Sequence, residues 1–315
     1  MNAFSVLTPG GYTTIQDKGR YGYQQMGVPV SGVLDAFAFQ AANLLVGNSK
    51  NAAGMEITVM GPRLEIGVAA DIAVTGAEIG INLNDQPVAG WKSFGVKPGD
   101  ILDIQQVKGG CRAYLAISGG IDVPEVMGSR STYVGGKIGG FHGRALKAGD
   151  VIKCGEIKRL TRVRETPLDM IPAYPSEIAI RAIPGPQDDF FQEGLDIIFQ
   201  SDFMVSTKAD RMGYRLQGPK VELKKGMPKS IISEPTMPGG VQVPADEQPI
   251  ILMVEQTVGG YTKIVTVISV DLPKVAQATP GDSIRFEKTS LETAHSLYQE
   301  QLKKMHDLEE ILARQ

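Results

Sequence analysis

The sequence predicts a mainly β protein that is built from two tandem β domains, with a few helices and a C-terminal helix. Three observations lead to this prediction. Glycine and proline are frequent, with 37 and 19 among 315 residues. Short segments rich in β-branched residues recur between them, and four short sequences of the first half return in the same order in the second. A chain of this length, 42% hydrophobic, buries enough surface for one large or two medium domains.

The predicted strands are short and lie between turn residues. Their β-branched residues and flanking glycines or prolines favour barrels or sandwiches over a doubly wound sheet. The clearest strands are residues 71–75, 101–104, 113–117, 178–183, 250–254 and 264–268.

Two segments have helical periodicity. The first runs from Leu34 to Val46, with Ser31 as its predicted N-cap and Gly47-Asn48 as its stop. The second runs from about Ser290 to Ala313 and repeats apolar residues every three or four positions. This second helix either packs on the body of the protein or binds a partner.

Proline density and the repeats divide the chain near its middle. Three prolines within nine residues disfavour both a helix and a central strand. We therefore predict a first β domain at 1–165, a linker at 166–177, a second β domain at 178–288 and an amphipathic helix at 289–315. Turns alone can also explain the repeats, because turns favour Gly-Pro and Gly-Asp. The repeats pair residues 61–66 with 218–223, 86–88 with 248–250, 119–121 with 259–261, and 149–152 with 281–284.

Composition argues against several functional classes. The net charge is −3 without a basic stripe, which gives little support to nucleic-acid binding. The apolar stretches are too short to span a bilayer, and the N-terminus does not resemble a signal peptide. Cys111 and Cys154, with three histidines, do not have the spacing of a disulfide framework or a zinc site. We expect a cytoplasmic protein that contacts neither nucleic acid nor membrane, and we assign no metal-ligating residues.

Two polar, glycine-containing segments stand out in the first half. Asp17 and Arg20 lie in a Gly-rich turn, where they either pair to fix the loop or present Arg20 to a ligand anion. Ser31 and Asp35 precede the helix that contains Asn43, so they serve as capping residues or as part of an anion pocket.

Two more such segments lie in the second half. Arg211 and Arg215 flank one glycine beside Asp210, a pattern that suits a solvated turn or a ligand site equally. Gln242 lies between apolar neighbours. Hydrogen-bonding side chains near glycines form a plausible small-molecule site. The other residues of this candidate site are Glu255, Thr257, Gly259, Gly260 and Tyr261.

Common catalytic motifs do not match. The segment Gly135-Gly136-Lys137-Ile138 has the lysine of a phosphate-binding loop without its spacing. His142 follows it within a glycine-rich stretch and has the chemistry of a general base, but no nucleophile stands in a recognisable relation to it.

Eight collinear blocks over residues 4–287 resemble one family. Its members are named variously as the C-type subunit of 5-oxoprolinase, allophanate hydrolase subunit 2, or biotin-dependent carboxyltransferase subdomains A and B. The blocks are Gln16-Asp17-x-Gly19-Arg20-x-Gly22, Gly27-Val28-x-x-Ser31-Gly32-x-x-Asp35, Ala42-Asn43-Leu44-Leu45-Val46-Gly47-Asn48, Gly128-Ser129-Arg130-Ser131-Thr132, Asp210-Arg211-Met212-Gly213-Tyr214-Arg215-Leu216, Val241-Gln242-Val243-Pro244, Gln256-Thr257-x-Gly259-Gly260-Tyr261 and Ala276-Gln277-x-x-Pro280-Gly281-Asp282.

The resemblance implies two cyclophilin-like β-barrel domains in tandem and a B-type partner subunit. One branch of the family couples ATP hydrolysis to the opening of 5-oxo-L-proline into glutamate, with an A-type third subunit. Another moves CO₂ from carboxybiotin to urea, and a further one counteracts an inhibitor of a sporulation kinase. Val258, Thr262 and Glu247 depart from the family pattern, which affects the expected ligand shape near residues 242–262.

The leading hypothesis is the C-type subunit of an ATP-dependent 5-oxoprolinase-type complex, with ATP and Mg as cofactors. The alternatives are a carboxyltransferase component, which would require biotin from another chain, and a regulatory binding module. Residue type predicts that the arginines stabilise phosphoryl or carboxylate charge, that the acids orient groups or a metal, and that the polar residues hold substrate. The predicted catalytic residues are Asp17, Arg20, Asp35, Arg211 and Glu255; the predicted substrate-binding residues are Ser31, Asn43, Arg215, Gln242, Thr257, Gly259, Gly260 and Tyr261.

Overall fold

The chain forms two compact units in a computed structural model that describes residues 1–191 and 193–315. The first unit contains residues 1–20, 31–173 and 303–315, and the second contains 21–30 and 174–302. Residues 21–30 therefore belong to the second unit, although they lie within the predicted first domain. Residues 303–315 belong to the first unit, although they were predicted as part of a separate terminal helix. In the second unit, the side chain of Gln24 donates to the carbonyl of Thr236 at 3.2 Å, which ties the 21–30 segment to that unit.

The first unit is built on one curled nine-stranded sheet. Its two longest strands, β5 and β8, pair antiparallel from Ile72 to Leu83 and contain three of the predicted strands. The sequence predicted separate strands at 101–104 and 113–117, but residues 101–117 form one continuous strand that runs through Gly109-Gly110. The strands are β1 (Asn2–Thr8), β2 (Tyr12–Gln16), β3 (Gly54–Thr58), β4 (Arg63–Ile66), β5 (Ala70–Leu83), β6 (Gln86–Pro87), β7 (Ser93–Val96), β8 (Ile101–Ile117) and β9 (Val151–Lys153).

The second unit contains a closed barrel, in the order β10-β17-β14-β15-β12-β11-β18. The parallel pairing of β10 with β18 closes it, with Glu177 opposite Ser283. A separate two-stranded sheet pairs β13 with β16. The strands are β10 (Glu177–Pro184), β11 (Asp202–Val205), β12 (Gly213–Gln217), β13 (Glu234–Pro235), β14 (Gly240–Val243), β15 (Ile250–Leu252), β16 (Val258–Gly259), β17 (Thr262–Val267) and β18 (Ser283–Lys288).

The mainly β fold class is confirmed, although only the second sheet closes into a barrel. Within the described residues the α-helices are α1 (Ala36–Leu45), α2 (Gly194–Gln200), α3 (Leu272–Gln277) and α4 (Leu291–Arg314). The two long helices were predicted. The short α2 and α3 were not, because six or seven residues are too few to establish a period.

The predicted cap of α1 was wrong. The side chain of Asp35 accepts from the backbone N–H of Ala38 at 3.1 Å, so Asp35 is the N-cap. Ser31 lies five residues before the helix with a left-handed φ of 55°. The predicted stop is confirmed, since the N–H of Gly47 bonds the carbonyl of Leu44 at 3.1 Å.

The C-terminal part of α4 packs on the first unit. Met305, Leu308 and Leu312 are buried there in one apolar cluster with α1, including Phe37. The three positions follow the helical repeat that the sequence showed. In the part of the chain that the structure describes, we find no helix with the length and apolarity needed to cross a membrane.

Candidate functional site

Asp17 is a buried acceptor at the end of β2. Its Oδ1 accepts hydrogen bonds from the hydroxyls of Ser129 at 2.6 Å and Ser131 at 2.5 Å, and from the N–H of Gly19 at 2.9 Å. Its Oδ2 accepts from the N–H of Arg130 at 2.6 Å. These donors satisfy both oxygens of the carboxylate, as burial of a polar group requires. Asp17 therefore anchors a segment more than 100 residues further along the chain.

Arg20 binds the same segment through main-chain carbonyls. It is fully buried, and its Nε donates to the carbonyl of Val126 while its Nη2 donates to that of Ser131, both at 2.9 Å. The sequence left open whether Asp17 and Arg20 pair with each other or Arg20 faces a ligand anion. The structure shows each of them holding residues 126–131 through hydrogen bonds of its own.

Ser31 lies in a tight turn that packs on the Asp17 loop. A side chain at Gly32 would come within 2.8 Å of Gly19, so only glycine fits there. The N–H of Val33 donates to the carbonyl of Asp17 at 3.0 Å. Ser31 Oγ is buried and has no hydrogen-bond partner within residues 1–191 and 193–315, which leaves this hydroxyl available to a ligand group.

Asp35 belongs to a buried network that the sequence did not reveal. The hydroxyl of Tyr114 donates to Glu56 Oε2 at 3.1 Å and accepts from the N–H of Asp35 at 2.8 Å. Arg112 Nε lies 3.8 Å from Glu56 Oε1. Burial, followed by the negative charges of Glu56 and Asp35, raises the pKa of Tyr114 well above its ordinary value. Tyr114 is therefore a neutral donor at physiological pH.

Asn43 supports the fold. Its Nδ2 donates to the carbonyl of Ala52 at 2.9 Å, and its Oδ1 accepts from the side chain of Asn48 at 3.0 Å. These bonds fix the turn that follows α1. The predicted substrate role of Asn43 stays a prediction, but its amide is already engaged in holding the chain.

Arg211 and Glu255 form a buried ion pair in the second unit. Arg211 Nε donates to Glu255 Oε1 at 2.6 Å, and the N–H of Glu255 donates to the carbonyl of Arg211 at 3.1 Å. Both side chains are less than a tenth exposed. Asp210 instead supports the turn, since its Oδ1 accepts from the N–H of Met212 at 2.8 Å.

Gln242 carries a buried amide without a partner. It is 3% exposed, and its Nε2 makes no hydrogen bond within the described ranges 1–191 and 193–315. The nitrogen lies against β16, where a Cβ at Gly259 would be 2.5 Å from it. Gly259 thus permits this close approach. A buried donor without an acceptor is costly, and such groups occur at functional sites.

Lys263 lies beside Gln242 and was not among the predicted residues. The two are directly paired across β14 and β17, which places their side chains next to each other on one face. Lys263 is 6% exposed, and its Nζ donates to Glu234 Oε1. A lysine preceding the β-branched run Ile264–Val267 was the available sequence signal, but a lone charge in a strand does not identify its neighbours.

The other predicted residues of this unit have exposed side chains or contribute backbone hydrogen bonds. The side chains of Arg215 and Tyr261 are exposed, the latter by 44%. The N–H of Thr236 donates to the carbonyl of Thr257 at 3.0 Å, and the N–H of Ile231 donates to the carbonyl of Gly260 at 2.7 Å. Thr257 and Gly260 therefore hold the segment around β13 and β16 through their backbones.

The predicted site residues thus divide by unit. Within the first unit, Asp17 and Arg20 share one segment; within the second, the structure brings Gln242, Gly259 and the newly found Lys263 together. No cluster of three or more histidine, cysteine, aspartate or glutamate side chains with metal-binding geometry occurs among residues 1–191 and 193–315.

Comparison with known proteins identifies the family. Residues 26–288 match the family model described as carboxyltransferase domain, subdomain A and B. The chain is 40% identical to the C-type subunit of 5-oxoprolinase from Escherichia coli (strain K12) over 299 residues, which cover 94% of each protein. It is 35% identical to the corresponding 5-oxoprolinase protein of Haemophilus influenzae over 310 residues, covering 96% of this chain and 98% of that protein.

A solved structure agrees with this match. The crystal structure of the K. lactis urea amidolyase superposes with a TM-score of 0.91 at 35% identity, over 97% of this chain and 20% of that one. The chain therefore spans about a fifth of that larger protein. A match of this extent covers most of both units. By sequence and by fold, the chain belongs to the carboxyltransferase-domain family of subdomains A and B.

Proposed function

We propose that this chain is the C-type subunit of an ATP-dependent 5-oxoprolinase-type complex, which opens 5-oxo-L-proline to L-glutamate together with B-type and A-type subunits. The observation that carries the proposal is the extent of the similarity. The chain matches two 5-oxoprolinase proteins of the same type over 94% and 98% of their length, whereas it corresponds to 20% of the urea amidolyase chain.

The chemistry at Gln242 supports a substrate of this class. Gln242 Nε2 and Lys263 Nζ are both donors, and they lie side by side on β14 and β17. Adjacent donors suit oxygen acceptors, and 5-oxoproline offers a carboxylate and a lactam carbonyl. Glu234, whose carboxylate binds Lys263, holds the ammonium group in place until a substrate oxygen arrives.

The remaining predicted residues support this site or the fold. Glu255, which Arg211 holds in place, offers an acceptor for a substrate N–H. Asp17 and Arg20 hold residues 126–131, and we therefore propose them as positioning residues. ATP, when bound in the complex, supplies a phosphoryl group that activates the resonance-stabilised lactam. The contribution of this chain is to bind and orient the substrate oxygens.

The test is reconstitution with purified subunits. The wild-type chain, combined with its B-type and A-type partners, is expected to release inorganic phosphate from ATP only when 5-oxoproline is added. Leaving out this chain should abolish that dependence. If the complete set shows no stimulation at saturating 5-oxoproline, the proposal is wrong.

Carboxyl transfer is the second candidate, because the fold match to the urea amidolyase covers 97% of this chain. This activity requires biotin on another chain. The same reconstitution separates the two candidates when it is run with urea and a biotinylated carrier protein. Urea-dependent loss of carboxyl groups from the carrier, blocked by avidin, would favour the carboxyltransferase; turnover of 5-oxoproline that avidin leaves unchanged favours the first proposal.

A further inference from the structure

A cleft of about 630 Å³ lies in the first unit, beside the segment that Arg20 holds through the carbonyl of Val126. Its volume is within the range of small-molecule sites. One wall is apolar and contains Val123, Val126 and Phe141. The basic side chains of Lys137, His142 and Lys153 line it as well, with Asp122 as their acidic neighbour. The sequence singled out the Lys137 and His142 segments without giving them a function.

The cations of this cleft are available. Neither Lys137 nor Lys153 forms an ion pair or a side-chain hydrogen bond within the described residues. Arg144, a few residues away, contrasts with them, because Asp150 binds it through both carboxylate oxygens at 2.7 and 2.8 Å. With two lysines and one aspartate among its lining residues, the cleft has a net positive charge.

The backbone that carries these groups is fixed in an unusual conformation. Lys137 and His142 have φ values of 55° and 56°, in the left-handed region that non-glycine residues rarely adopt. Gly143, next to His142, packs against the Lys137 carbonyl, where a Cβ would lie 2.2 Å away, so only glycine fits there. Strained residues of this kind persist where the surroundings over-determine them, and they cluster at ligand sites.

The loop is also tied to the core of the unit. Tyr133 and Ile138 exchange backbone hydrogen bonds at 2.8 and 3.0 Å, which closes a hairpin around Lys137. Arg20 holds the carbonyl of Ser131 just before this hairpin. Lys153 faces the cleft from β9, where its neighbour Ile152 is buried on the opposite face. Strand and loop elements therefore fix the backbone positions of these basic residues, whose side chains are exposed.

We infer that this cleft binds the phosphoryl groups of a phosphate-bearing small molecule. A net charge contributed by two lysines, with a histidine donor beside them, suits a polyanion better than a single carboxylate. The apolar wall provides room for the body of the molecule. Inorganic polyphosphate and a nucleotide share this chemistry, and the binding measurements below distinguish them.

Isothermal titration calorimetry of the full chain at physiological salt tests the inference, with ATP, pyrophosphate and inorganic phosphate as separate probes. We expect saturable binding of ATP and pyrophosphate. Equal affinity for both would show that phosphoryl groups alone are recognised, and tighter binding of ATP would show that the apolar wall takes the nucleoside. Because neither a partner protein nor turnover is needed, a negative assay of the complex does not affect this result.

Variants locate the site. Lys137→Gln and Lys153→Gln should each weaken binding about tenfold, the loss of one charge-assisted contact. Lys147→Gln is the matched control, since Lys147 is exposed in the same unit but does not line the cleft, and it should bind like the wild type. The inference is overturned if the wild type binds none of the probes, if both cleft variants bind as tightly as the control, or if 5-oxoproline displaces the phosphate probes.

Discussion

Arg20 and Arg211 are both buried arginines next to glycine and an acid, yet the two units use them differently. In the first unit, Arg20 donates to the main-chain carbonyls of Val126 and Ser131. In the second, Arg211 bonds the carboxylate of Glu255 at 2.6 Å. The neighbouring acids differ too: Asp17 gathers serine hydroxyls and backbone N–H groups, whereas Asp210 supports its own turn.

The difference teaches how a fixed loop and a ligand site are distinguished. Both carboxylate oxygens of Asp17 are used to hold a segment of the same unit. Around Gln242, a buried amide lacks an acceptor within the described residues, and a buried lysine is paired to Glu234, whose side chain is 44% exposed. Saturated polar groups stabilise the fold, while incompletely satisfied ones lower stability and leave capacity for a ligand.

The largest effect is expected at Asp17. Asp17→Ala removes four hydrogen-bond acceptor contacts and leaves buried donors at Ser129, Ser131 and Arg130 unsatisfied. We expect a loss of about 3 to 5 kcal/mol in the free energy of unfolding, measured by urea denaturation. Glu125→Ala, at an exposed position of the same unit, is the control. A loss below about 1 kcal/mol would contradict the anchoring role.

The next effect is expected at the buried pair of the second unit. Glu255→Ala should lower the free energy of unfolding by about 3 kcal/mol, because it leaves the charge of Arg211 buried without its carboxylate. The double variant Arg211→Met with Glu255→Leu should lose much less than the sum of the Arg211→Met and Glu255→Leu single variants, as shown by a double-mutant cycle in urea. Additive losses would mean that the two side chains are not coupled.

A smaller, pH-dependent effect separates two matching turns, one in each unit. Asp150→Asn should cost about 1 to 2 kcal/mol of unfolding free energy at pH 7, and Asp282→Asn less. Both carboxylates accept a backbone N–H three residues earlier, but only Asp150 also binds an arginine, Arg144. Urea denaturation of both variants at several pH values measures this difference.

The sign of the pH dependence follows from Arg144, whose hydrogen bonds lower the pKa of Asp150 below its ordinary value. A lowered pKa in the folded state contributes stability above the ordinary carboxyl pKa, about 3.9. That contribution disappears as the pH falls through the lowered value. The gap between the wild type and Asp150→Asn should therefore be constant near neutral pH and shrink below about pH 4. A gap that grows on acidification would contradict the pairing.

The smallest effect on stability is expected at Gln242. Gln242→Met keeps the volume and removes an unsatisfied donor, so the free energy of unfolding should change by less than about 1 kcal/mol or rise. The 5-oxoproline-dependent phosphate release of the reconstituted complex should nevertheless fall at least about tenfold, the loss of one buried contact to the substrate. Gln217→Met, exposed on β12, is the control. Unchanged turnover in Gln242→Met would remove Gln242 from the site.

Much of the fold could be predicted because its signals are local. The limits of α4 follow from a helical repeat that lies within one continuous stretch of the sequence, and the stop of α1 follows from Gly47. The same holds for the β class, since short β-branched segments between turns carry their own conformational preference. The family blocks around Asp17 and Gln242 could also be recognised, because residue identity and spacing can be read directly from the sequence.

What the sequence by itself determined, then, is the β class, the two long helices and the segments that carry polar chemistry. The tertiary structure decided which groups meet: Asp17 with Ser131, 114 residues away; Lys263 beside Gln242; and Ser31 in a left-handed turn instead of a helix cap. It also decided that one sheet closes and the other does not. The physical reason is that partners are chosen by strand pairing and close packing between distant segments, which local propensity does not encode.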